Sequence, residues 1–179
     1  SEKEEVAKRL EEALKRLEDT IRKVSEENER VLRTLEDRAR KSAEKVERLL
    51  EELRKRLEDS NNQGELLETL ERLIERLRRE TEDLKRKLKE LVTDSRRRTK
   101  ELEDKLKERA KELRKEIKAD KLDLEELKKR VEELTREVEE EIRRLKETSK
   151  RLEEEVKRLI EDHDRRVREL KDEVERRIR

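Results

Sequence analysis

Apolar residues recur along this chain on a single rule, spaced 4, 3, 4, 4 and 3 residues apart, and the rule repeats every eighteen residues. Eighteen residues make five turns of an α-helix at about 3.6 residues per turn, so each apolar seat returns to the same face. A seven-residue repeat supercoils left-handed and an eleven-residue repeat right-handed, whereas five turns in eighteen residues leaves helices nearly straight. The stretch from Leu127 to Ile178 shows the rule best. Its seats are Leu127, Val131, Leu134, Val138, Ile142, Leu145, Ser149, Leu152, Val156, Ile160, His163, Val167, Leu170, Val174 and Ile178. Two of them, Ser149 and His163, are polar.

Only 28% of the 179 residues are hydrophobic and 61% are charged, which suits either a disordered chain or a long thin helical one. Disorder follows when apolar residues are too few or too scattered to drive burial. Here they keep a helical period from end to end, so the helical reading holds. A long bundle needs only about a third of each helix facing inward. Phe, Trp, Tyr, Met, Cys and Pro are absent, and Glu, Lys, Arg and Leu, all good helix formers, fill most positions. Without cysteine there is no disulfide and no thiolate metal site. No apolar run exceeds three residues, so no signal peptide or membrane span is expected and the chain should be soluble.

Basic and acidic residues balance, 55 against 54. The signs alternate at the three- and four-residue spacings that give pairs within a helix, as in Glu11-Glu12 before Lys15-Arg16. The densest basic run, Arg96-Arg97-Arg98, stands among Asp94, Glu101 and Asp104, with no aromatic ring to stack on a base. No nucleic-acid partner is expected, and without aromatic anchors no membrane partner either.

Two breaks divide the pattern. Asp59-Ser60-Asn61-Asn62-Gln63-Gly64 is dense in turn formers and holds the only glycine. Its Asn and Gly residues tolerate the left-handed conformation that ends a helix, which places the first reversal there. At Ala119 to Asp123 the period is interrupted, and Asp123 with Glu126 has capping-box spacing, as do Ser1 and Glu4. Leu122 is placed to staple onto Leu127. The sequence therefore predicts an all-α, elongated, antiparallel up-down-up three-helix bundle, nearly untwisted and a single domain over 1–179. Helix 1 covers about 2–59, a loop 60–64, helix 2 about 65–118, a loop 119–123, and helix 3 about 124–179, each helix roughly 80 Å long at 1.5 Å per residue.

Antiparallel neighbours also fix a register. With residue i of helix 1 level with 123 minus i in helix 2 and i plus 121 in helix 3, all fifteen seats of each helix coincide. The polar seats then coincide too. Asn28 falls level with Ser95 and Ser149, with Thr99 one turn away and Ser25 and Thr148 at the edges; Ser42 falls level with Thr81 and His163. An unpaired polar group in a dry core costs about 1 to 3 kcal/mol, so polar residues gathered at one level imply mutual hydrogen bonds. Such layers select one register, since a shifted helix would bury them against leucines. Metal binding by His163 lacks a second histidine or a cysteine, and a His163–Ser42 catalytic pair lacks an orienting third group and a pocket. Acid sensitivity of a buried neutral histidine is the alternative role that suits this residue better.

These features, the three eighteen-residue repeats per helix, the Asn28/Ser95/Ser149 and Ser42/Thr81/His163 layers, and the Glu/Lys/Arg surface, resemble de novo designed helical bundles built on parametric backbones with buried hydrogen-bond networks. The natural three-helix repeats of the spectrin type are the nearest evolved comparison, but their tryptophan and heptad period are missing. The resemblance implies a monomeric structural scaffold with no natural substrate or partner, no cofactor and no catalytic or metal-binding residue. The competing reading is a coiled-coil interaction module. Its partner helix or second copy would sit on Leu14, Leu32, Leu50, Leu67, Leu73 and Leu91, which flank the main stripe.

Overall fold

The computed structural model describes residues 2–61, 64–119 and 123–178. They form three helices, α1 (Glu2–Glu58), α2 (Glu65–Ala119) and α3 (Leu124–Arg177), and among the described residues there is no strand. The chain is an all-α three-helix bundle, with helix ends within two residues of those the sequence predicts. None of the helices is long and apolar enough to cross a membrane. The Ser1 cap and the Leu122 staple lie outside the described residues.

Local chemistry sets the helix ends. At the C-terminus of α1 the Ser60 hydroxyl donates to the Leu57 carbonyl at 2.7 Å, and the Asp59 amide reaches Lys55 O at 3.0 Å. These bonds take up carbonyls that the helix itself leaves without partners. The glycine of this reversal stands at the start of α2. Gly64 has φ +71°, and its carbonyl accepts the Glu68 amide at 3.2 Å. A side chain is disfavoured here by backbone conformation alone, because a Cβ would meet nothing within 4 Å. At the start of α3, Asp123 is the cap that its spacing predicts. Its Oδ1 accepts the Glu126 amide at 2.8 Å and its carbonyl accepts the Leu127 amide at 3.0 Å.

The chain packs as two compact units, and each takes a portion of all three helices. Residues 1–31 and 94–151 make the first. Its core joins the N-terminal part of α1 (Leu10, Leu14, Ile21) to the C-terminal part of α2 (Leu106, Ala110, Leu113) and the start of α3 (Leu127, Val131, Leu134, Val138). Residues 32–93 and 152–179 make the second, joining Val46, Leu50, Leu53 and Leu57 to Leu70, Ile74 and Leu77 and to Val167 and Val174. In either unit the numbering of α2 runs against that of α1 and α3, which is the up-down-up order.

Within α1 the depth of the apolar residues differs from the sequence expectation. Leu14, Leu32 and Leu50, which periodicity places beside the main stripe, are 0%, 0% and 5% exposed, while the seats Ala13, Val31 and Leu49 are only half-buried. A helix that packs against two neighbours carries two adjacent stripes, and the residues on their shared edge lie deepest. The partner stripe of the interaction-module reading is therefore interior on α1. Its α2 members, Leu67, Leu73 and Leu91, are half-buried, and no large hydrophobic residue is exposed among the described residues. This geometry predicts that Leu50→Ala costs about 2 to 5 kcal/mol and Leu49→Ala less than half of that, measured by urea denaturation.

Candidate functional site

Five polar residues are buried among the described residues: Asn28, Thr81, Ser95, Thr99 and His163. All five stand at positions that the register singles out. The structure distributes them over two sites, one in each unit.

In the first unit Asn28 joins α1 to both other helices. Its Nδ2 donates to Thr99 Oγ1 on α2 at 3.0 Å, and its Oδ1 accepts from Ser149 Oγ on α3. Thr99 in turn donates to the Ser95 carbonyl at 2.9 Å. A hydroxyl has one proton, so Thr99 can offer Asn28 only a lone pair, and the amide must present its NH2 to α2 and its oxygen to α3. Ser95, expected to meet Asn28 through its side chain, enters this arrangement through its backbone carbonyl. Thr99, expected only to extend the layer, makes the direct contact. One helical turn brings the threonine to the same face as Ser95, where its hydroxyl shares the Ser95 carbonyl with the backbone amide of the helix. Ser25 is half-buried and Thr148 is exposed.

Above Asn28 and Thr99 a groove of about 560 Å³ opens between α1 and α2. Its four cations, Arg22, Arg96, Lys100 and Lys107, face four carboxylates, Glu26, Glu29, Glu103 and Asp104, which leaves no net charge to select a ligand. Arg96 Nε reaches both oxygens of Glu29 at 3.0 Å. Arg97, the next residue of the basic run, is taken up by Asp94 at 3.4 Å and Glu101 at 4.0 Å.

In the second unit Thr81 Oγ1 lies 2.9 Å from His163 Nε2 and donates to Leu77 O at 2.9 Å. The same proton count applies. A Thr81 proton placed on Leu77 O leaves a lone pair for the ring, and the Nε2–H tautomer of His163 then completes the contact. Ser42 departs from the expected layer. Its hydroxyl donates to Asp164 Oδ1 at 3.3 Å, and the residue is half-buried, whereas its neighbour Ala43 is 5% exposed. The small alanine, and not the serine, occupies the interior of α1 here; an alanine in a leucine-rich stripe was the available signal. The Ser42 hydroxyl is thus directed to a carboxylate.

Burial pushes the His163 imidazole below its ordinary pKa. Asp164 and Glu80 oppose that shift by attracting the charged ring, while Arg166 adds to it. Glu80 is itself paired with Arg166 at 2.8 Å across α2 and α3. No group of three or more His, Cys, Asp or Glu side chains among the described residues could hold a metal ion.

Periodicity also left out the ion pairs between helices. Arg114 of α2 bonds Glu11 of α1 at 2.7 Å and also reaches Glu18; Arg109 pairs with Glu137 and Arg130 with Glu116 across α2 and α3. In the second unit Arg56 pairs with Glu175 at 3.0 Å and Lys85 with Glu47. Spacing within one helix cannot reveal these pairs, but the register could have. Comparison with protein-family models, curated proteins and solved structures finds no match.

Two substitutions test the first site. Thr99→Val removes the acceptor for an N–H of Asn28 and is expected to cost about 1 to 3 kcal/mol in chemical denaturation. Asn28→Leu is expected to cost less, because Thr99 keeps its bond to Ser95 O and the half-buried Ser149 can turn to water.

Proposed function

We propose that this chain is a de novo designed, monomeric structural scaffold, without catalytic activity or cofactor, in which buried hydrogen-bonding residues specify how the helices align. The observation that carries this reading is the placement of Asn28. One α1 side chain bonds α2 and α3 together, and its partner Ser149 lies 121 residues on, the same offset at which the apolar seats of α1 and α3 coincide. In the second unit the α1–α3 pairs Ser42–Asp164 and Arg56–Glu175 have offsets of 122 and 119. Apolar contacts alone tolerate many alignments, since a leucine displaced by one repeat meets another leucine. A hydrogen bond has no such tolerance, because a displaced amide or imidazole would meet methyl groups and lose about 1 to 3 kcal/mol. The interior position of Leu14, Leu32 and Leu50 supports the monomer over the interaction module.

This reading predicts the behaviour of a variant in which Asn28→Leu, Thr99→Val, Ser149→Ala, Thr81→Val and His163→Leu remove the buried polar groups together. Its resistance to denaturant should match or exceed that of the parent. Its mass distribution by light scattering should broaden beyond the single 22.0 kDa species expected of the parent. A variant that stays as uniform as the parent would show that the polar residues do not specify the arrangement, and a parent of twice that mass would favour the interaction module.

A further inference from the structure

We infer that His163 is a proton-operated latch of the unit formed by residues 32–93 and 152–179. Neutral, it ties α3 to α2 through Nε2–H and Thr81; under mild acid it takes a second proton at Nδ1, and the unit loosens around the buried cation. The latch does not depend on the protein being a scaffold.

The hydrogen-bond count decides which atom accepts the proton. Thr81 directs its only hydroxyl hydrogen to Leu77 O, so it receives Nε2–H, and Nδ1 is left as the basic atom. Ser42 cannot occupy Nδ1 as a donor, because its hydrogen goes to Asp164. Protonation therefore adds a charge without breaking the bond to Thr81, and what it changes is the cost of holding that charge inside. His163 is 7% exposed and Thr81 2%. Three charges act on the ring. Asp164 and Arg166 come from its own helix, and Glu80 comes from α2, where it is tied to Arg166 at 2.8 Å and to Arg76 at 3.9 Å. From α1 come Ser42 and the buried Ala43, while the α1 cations Lys45 and Arg48 stand across the groove that Asp164 lines. Neither carboxylate is free to serve the imidazolium alone: Glu80 is held by Arg166, and Asp164 accepts from Ser42 in a groove where it and Glu52 of α1 face the cations Lys45, Arg48, Arg168 and Lys171. Burial thus outweighs them, in line with the lowered basicity of the ring.

The sign follows. A folded state that binds the proton less readily than the unfolded chain keeps its full stability above the unfolded histidine value of about 6.5, and loses stability as pH falls from there toward the lower folded value. Because the chain has one histidine, ring nitrogen NMR reports on this site without ambiguity. At neutral pH the expected spectrum has hydrogen on Nε2 and a bare Nδ1, with a titration midpoint below about 6.5. Hydrogen on Nδ1, or a midpoint at or above that value, would overturn the proposal. The second readout is the urea midpoint between about pH 7.5 and pH 5, a range that brackets an ordinary histidine and lies above most carboxylate titrations. The parent should lose more resistance over this range than His163→Leu, and equal losses would overturn the latch. Should that variant fail to fold, amide exchange in the parent supplies the same test. After correction for intrinsic rates, protection around Thr81 and His163 should fall at the lower pH, and unchanged protection would contradict the inference.

Discussion

A hydrogen-bonding side chain enclosed by leucines must find its partner inside the protein, and much of the arrangement of this molecule depends on how that demand is met. Threonine meets it in one way at both sites. Thr99 and Thr81 each donate to the carbonyl four residues earlier, as the more exposed Thr20, Thr69 and Thr135 also do. A buried threonine bonded in this way has satisfied its own proton and can offer only a lone pair to another helix. The residue opposite must therefore bring an N–H. Asn28 does so from α1, and His163 Nε2 stands in the matching place on α3. Serine in place of either threonine would keep the hydroxyl but lose the methyl group that fills the apolar side of the seat.

Apolar burial supplies the bulk of the stability and little of the selectivity. Each fully buried leucine contributes about 1.5 to 3 kcal/mol, and the two cores contain many. The ion pairs between helices lie along the rims of these cores and are partly exposed, so each contributes at most about 1 kcal/mol. Their geometric value is larger than their energy. Arg96 holding both oxygens of Glu29 closes the rim beside Asn28, and Arg166 on Glu80 closes the rim beside His163. Among the described residues no buried side-chain nitrogen or oxygen lacks a hydrogen-bond partner. Satisfaction of that kind is what a single preferred packing requires.

Much of this was legible in the sequence, because a helical period can be read along one dimension. The eighteen-residue rule located the three helices, the turn formers located the first reversal, and Asp123 with Glu126 located the start of α3. Among the described residues, the five buried polar groups stand at polar seats of the helical period, while Ser42 and Ser149 at such seats are half-buried. Illegible was whatever depends on rotation about a helix axis or on the reach of a side chain. Leu50 and Leu49 are one residue apart and identical in type, yet only the first lies on the edge shared by two neighbours. Ser42 and Ala43 exchange inner and outer places for the same reason. Ser95 and Thr99 share a face, and which of the two side chains meets Asn28 depends on reach across the interface. Gly64 takes a positive φ at the start of α2, a detail that composition does not supply, since it locates a reversal without assigning conformations within it.

Whether buried hydrogen bonds choose the register is tested most directly by disulfide trapping, which the absence of native cysteine makes unambiguous. One cysteine is placed on the rim of α1 and a second on α3, either at the matched offset of 121 residues or displaced from it by two helical turns. With Asn28, Thr99, Ser149, Thr81 and His163 intact, only the matched pair should oxidise rapidly. With all five replaced by apolar residues, the displaced pair should begin to oxidise as well. If the apolar protein remains as selective for the matched pair as the parent, leucine packing and the short connections already determine the register, and the buried hydrogen bonds do not choose it.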